Sequence, residues 1–144
     1  MSKKSWTITL ALATAFFGVA TLVSFVMGGC STCIETTSGA CVPMHCHYAF
    51  IASGFICIAG AVASAVNLPG FGASAHRALA AVELSCAALC AGAIGAIGIC
   101  SSASMHCHQT LHVVLSLLAA AAVVAVVQLA KANPKDAAKP KMRL

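Results

Sequence analysis

A chain of 144 residues suffices for one domain, yet with 60% hydrophobic residues and only 8% charged ones it cannot clothe the surface of a water-soluble globule, whose charged fraction is about 25%. Disorder is argued against by the wealth of apolar side chains. Nucleic-acid binding is argued against by where the charge lies: eight Lys and Arg against three Asp and Glu give a net charge of +5, but most of the basic residues sit near the two ends, where they report topology first.

Four apolar stretches follow one another, roughly Trp6 to Met27, Met44 to Val66, Ala78 to Ile99 and Thr110 to Ala130. Each holds about 20 residues, which at about 1.5 Å rise per residue crosses the roughly 30 Å hydrocarbon core of a bilayer. That core offers no water to unpaired backbone groups, so the predicted fold is all-α, an integral membrane four-helix bundle. Helix breakers mark the connections: Gly28 and Gly29, then Asn67, Pro69 and Gly70, then Ser101, Ser102 and Ser104. The first run ends in Gly28-Gly29-Cys30, an echo of a lipoprotein cleavage site. It is too long for an ordinary signal, and its removal would leave an odd number of spans, so it is read as a retained helix.

Lys3 and Lys4 precede the first span, Arg77 stands between the second and third, and Lys131, Lys135, Lys139, Lys141 and Arg143 follow the fourth. The loops from Gly28 to Pro43 and from Cys100 to Gln109 contain neither Lys nor Arg. The positive-inside rule then places both termini in the cytoplasm and these two loops outside. The basic tail, with Pro134 and Pro140, is expected in solvent near anionic lipid.

Met44-His45-Cys46-His47 recurs letter for letter as Met105-His106-Cys107-His108. The repeat divides the chain into a first hairpin (1–68), a second hairpin (69–130) and a tail (131–144). Parallel repeats about an axis along the membrane normal would bring both tetrapeptides to one outer rim.

The two-hairpin plan, the Cys-x-Pro-Met-x-Cys-His stretch from Cys41 to His47, and Gly98-Ile99-Cys100 ahead of Met105-His106-Cys107 resemble a domain-of-unknown-function family of small bacterial four-helix membrane proteins with paired Met-x-Cys-His motifs. The resemblance extends over nearly the whole chain. It implies the four-span topology and, because genes of the family sometimes stand beside components of ATP-driven permeases, a partner of the ABC-transporter type. It implies no activity and no site residues.

Thioether, imidazole and thiolate donors suit soft or borderline cations, Cu(I) first and Zn(II) second, and disfavour Mg and Ca. At about 100° per helical residue, Met44 and His47 share a face, and so do Met105, His108 and His112. Turned toward a common axis, these five would form a soft-metal site, with Cys46 and Cys107 of the same tetrapeptides as further thiol donors. Cys46 and Cys107 diverge from that face, however. With Cys30, Cys33, Cys41 and Cys100 they make six cysteines on the outward side, an even number suited to disulfides such as Cys100–Cys107 or Cys46 with Cys41, Cys33 or Cys30. Cys30-x-x-Cys33 is also a candidate redox pair. The competing structural reading is that the histidines and methionines are boundary and helix-entry residues; duplication at equivalent places favours a ligand or redox role.

Within the spans lie Cys57, Cys86, Cys90 and Glu83. Glu83, Cys86 and Cys90 share one helical face and are a candidate intramembrane path, with Cys57 at a depth similar to Cys86; the alternative is that the cysteines are small packing residues. A carboxylate in hydrocarbon is costly, so Glu83 either faces a partner or cavity or snorkels toward Arg77 or His76. Gly92, Gly95 and Gly98, and Ser53, Gly54 and Gly60, suit close helix contact or self-association into a homo-oligomer. No nucleotide loop, nucleophile elbow or paired-carboxylate signature is present. The expected function is therefore an extracytoplasmic soft-metal site, most plainly for copper, in metal handling or in an accessory subunit of an ABC-type transporter. The alternatives are a thiol–disulfide protein, a haem electron-transfer protein with His47 and His108 as ligands, or a structural subunit with disulfide-braced loops.

Overall fold

The computed structural model describes residues 3–27, 34–35, 37–39, 41–42, 45–67, 72–98 and 106–132. Its helices are α1 (Lys3–Val26), α2 (His45–Val66), α3 (Ala73–Ile97) and α4 (His106–Lys131), each long and apolar enough to cross a bilayer. The protein is thus a four-helix bundle of the multi-pass membrane type.

Helix α3 begins at Ala73, five residues before the apolar run that announces it. Ser74, His76 and Arg77 tolerate helical geometry, and the amide of His76 closes the first turn onto the carbonyl of Gly72 at 3.2 Å. It ends at Gly98, whose φ of +86° suits glycine and whose amide makes the last bond, 3.0 Å to the Ile94 carbonyl. Between α1 and α2 a short antiparallel ladder joins β1 (Ile34–Glu35) to β2 (Cys41–Val42), in register Ile34 to Val42 and Glu35 to Cys41. This element is absent from the expected all-helical plan, and Gly39, at φ +74°, lies in its turn.

Each helix packs against two neighbours, α1 and α3 both lying between α2 and α4, while α1/α3 and α2/α4 occupy the diagonals. Neighbours are antiparallel. One end of the bundle therefore carries Lys3, Asn67, Ala73 and Lys131, and the other, the rim, carries the starts of α2 and α4 at His45 and His106.

The interior is built on Phe17, Phe50, Val114, Leu118 and Ala121. Two glycines of α2 admit aromatic rings from α1: a Cβ on Gly54 would meet the Phe25 ring at 2.7 Å, and one on Gly60 the Phe17 ring at 2.6 Å. Gly92 and Gly95 differ from that pattern, being exposed with nothing within reach of an added Cβ. The outer surface displays Ile8, Leu22, Phe55, Leu89 and Val123, whereas Ser24, Ser53, Ser64, Asn67, Glu83, Thr110 and Gln128 are buried. Apolar outside and polar inside is the arrangement a bilayer demands. Several hydroxyls are satisfied within their own helix, Thr21 by the Phe17 carbonyl, Ser53 by Ala49 and Ser64 by Gly60.

Candidate functional site

At the rim His45-Cys46-His47 and His106-Cys107-His108 open their helices with the same pattern of burial. Cys46 and Cys107 belong to the core cluster; His45, His106 and His112 are exposed, and His47 and His108 are half-buried. The face turned to the bundle axis therefore presents sulfur, where the spacing had placed His47, His108 and His112. The cause is the stripe on which each helix packs. In α2 it runs Cys46, Phe50, Ser53, Cys57, and in α4 Cys107, Thr110, Val114, Leu118, Ala121, Ala125 and Gln128, so His47 and His108 are turned about 100° to one side. His47 stacks edge-on against Tyr48, ring centroids 5.8 Å apart. The Thr110 hydroxyl bonds the Met27 carbonyl at 3.1 Å and ties the start of α4 to the end of α1.

Cys46 and Cys107 are buried in the core cluster; the loop cysteines with which disulfides were expected are not placed beside them by any described side chain. Met44, Met105, Cys30, Cys33 and Cys100 lie outside the described residues, and Cys41 is described only through its backbone in β2. Among the described residues no group of three or more His, Cys, Asp or Glu is arranged to hold a metal ion.

Further along the axis, Cys57 of α2 and Cys90 of α3 are fully buried with their sulfur atoms 3.5 Å apart. The Cys90 thiol also donates to the Ser53 carbonyl at 3.4 Å. Cys86 stands one turn away on α3 and is buried too. Depth along the sequence matches Cys57 with Cys86; in the bundle Cys90, one turn further along α3, stands opposite Cys57 instead. All five cysteines of the described helices point inward, so the bundle carries sulfur at the rim and again at mid-depth. Two facing thiols in a dry interior, once deprotonated, suit a soft cation of low coordination number such as Cu(I). They can also be oxidised to a disulfide if the sulfurs close to about 2.05 Å.

Toward the terminus-bearing end, four helices contribute to a polar hub. The Trp6 indole donates to the Asn67 carbonyl at 3.4 Å, and the Asn67 amide donates to Gln128 Oε1 at 3.4 Å. His76 Nδ1 bonds Asn67 Oδ1; a carboxamide oxygen only accepts, so Nδ1 carries the proton. The Trp6 and His76 rings stack 4.3 Å apart at 58°. Glu83 is fully buried beside this hub. Ser64 and Asn67 lie close to it, but the Ser64 hydroxyl is committed to Gly60, and neither Glu83 oxygen has a hydrogen-bond partner among the described residues. Gln128 Nε2 is likewise unfilled. Glu83 does not snorkel to Arg77, which is exposed: ten residues into α3, its Cα lies about 15 Å from the helix start, beyond the reach of the side chain.

Nothing in the hydropathy pattern singles out Trp6, Asn67 or Gln128. Asn67 reads as a helix stop and Gln128 as one amide in an apolar run. The available signal was the cost of any polar side chain inside a span. Comparison with known proteins finds no matching family model, no matching curated protein and no matching solved structure.

Proposed function

We propose that this protein binds and passes on a thiophilic cation, Cu(I) first and Zn(II) second, as a metal-handling membrane protein or as an accessory subunit of an ABC-type transporter. The observation that carries the reading is the fully buried Cys57–Cys90 pair, 3.5 Å between sulfurs on two different helices. It is supported by the two His-Cys-His segments, which open α2 and α4 at one rim. In this reading the rim faces outward and both termini are cytoplasmic, in a bacterial inner membrane, as the Lys and Arg distribution favours.

The cation is met at the rim by His47 and His108 with the exposed His45 and His106 beside them, and with Met44 and Met105 as thioether donors. It is then taken by Cys46 and Cys107, and deeper by Cys57 and Cys90. Each transfer exchanges one metal–donor bond for another, and each thiol loses its proton as it binds. The chain carries no nucleotide motif, so a partner or a gradient supplies the energy.

The test is anaerobic titration of detergent-purified protein with Cu(I) against a competing chromogenic chelator. Stoichiometric copper is expected in the native protein and its loss in Cys57→Ser/Cys90→Ser. Native protein that takes up no copper overturns the reading. The 3.5 Å separation also favours a second reading, thiol–disulfide exchange, in which mild oxidation removes two alkylatable thiols without metal uptake. Haem held by His47 and His108 would announce itself as a Soret band. A purely structural subunit would keep the activity of its complex in His47→Ala/His108→Ala.

A further inference from the structure

We propose that Glu83 is a proton-binding site inside the bundle, exchanging its proton with water at the terminus-bearing end by way of the Asn67–Gln128 hub. The proposal does not depend on the soft-cation reading, since it uses none of the thiols.

Glu83 is fully buried, and neither of its oxygens has a hydrogen-bond partner among the described residues. Among the described residues no cation neutralises it: Arg77 of its own helix, Lys4 at the start of α1 and Lys131 at the end of α4 are all exposed. The ionisable group beside it is Cys86 on α3, which in turn adjoins Cys57 on α2, with His76 two turns back on α3; the α4 residue bonded to Asn67 is the uncharged Gln128, and α1 lies across the diagonal. An ionised carboxylate left alone in this interior is costly, whereas the neutral acid is a modest donor and acceptor.

The hub is polarised toward the carboxyl group. His76 Nδ1–H donates to Asn67 Oδ1 and Asn67 Nδ2–H donates to Gln128 Oε1, which leaves Gln128 Nε2 as a donor with nothing to receive it. The Glu83 side chain leans toward the start of its helix, and so toward Ser64 and Asn67. Gln128 is bonded to Asn67 and Glu83 lies close to Asn67, so an orphan donor and two orphan acceptors flank the same amide, and such groups are the ones that water joins. In the transfer step the Glu83 O–H bond breaks, water takes the proton, and the carboxylate left behind is held by Gln128 Nε2–H through that water. The proton leaves past the half-buried His76.

The test is labelling of the full-length protein with dicyclohexylcarbodiimide, which attacks protonated carboxyl groups in apolar surroundings. The chain has three acidic residues, Glu35, Glu83 and Asp136, so mass spectrometry of the peptides assigns the adduct directly. An adduct on Glu83 that grows as the pH falls, and is absent from Glu83→Gln, is the expected result. Infrared spectroscopy provides a second measurement that needs no variant: at neutral pH the native protein should show a protonated-carboxyl C=O stretch that shifts on deuterium exchange. A spectrum with carboxylate bands alone, or labelling that never reaches Glu83, overturns the proposal.

Discussion

Cys57 and Cys90 oppose one another across the α2–α3 interface, their sulfur atoms 3.5 Å apart and wholly sealed from solvent. The contact joins the second helix of one hairpin to the first helix of the other. A membrane-permeant trivalent arsenical, which bridges paired thiols, should therefore protect both residues from later alkylation under denaturing conditions. Cys57→Ser should abolish protection of Cys90. A charged maleimide applied to the folded protein should reach neither, because both are buried; mass spectrometry reads both outcomes.

The rim should discriminate between residues of one tetrapeptide. Cys46 and Cys107 face the core, while His112 is exposed on the side of α4. In the chelator competition, Cys46→Ala/Cys107→Ala should weaken Cu(I) retention by at least about tenfold, about 1.4 kcal/mol. His112→Ala should leave it unchanged. The opposite ranking would return the site to the histidine face.

Two pairs of glycines separate packing within the chain from open surface. Gly60→Ala drives a methyl group into the buried Phe17 ring, at a cost of about 1–3 kcal/mol. Gly54→Ala should cost less, because Phe25 is partly exposed and its ring has room to swing aside. Gly92→Ala and Gly95→Ala meet no atom within 4 Å and should be neutral or slightly stabilising. Thermal unfolding in detergent orders the four variants.

Loss of the hub amide Asn67 should cost more than loss of a hydroxyl bonded within its own helix. Asn67→Ala removes the acceptor of His76 and the donor to Gln128, two bonds whose loss within a membrane bundle costs roughly 1 kcal/mol together. Thr21→Ala removes only a bond to the carbonyl of its own helix and should fall within about 0.5 kcal/mol of the native protein. Equilibrium unfolding in mixed micelles compares them.

The class of the protein, the number of spans and the arrival of both His-Cys-His segments at one end of the bundle were legible in the residues. Hydrocarbon thickness, backbone hydrogen bonding and the parity of crossings leave few alternatives once four apolar runs of the right length are present. Helix ends were legible to within a turn, except at Ala73 and His106, where polar residues extend α3 and α4 beyond their apolar stretches.

The rotation of each helix about its own axis was not legible. In water a helix declares its inner face by being polar on the other. In lipid both faces are apolar, so α2 and α4 read nearly alike all round, and only packing against neighbours turns Cys46 and Cys107 inward and His47 and His108 aside. The same packing sets the register that opposes Cys57 to Cys90 and draws Trp6, Asn67, His76 and Gln128 together from distant parts of the chain. Composition and length were enough to place this chain across a bilayer; which side chains meet inside it depended on how four nearly featureless cylinders interlock.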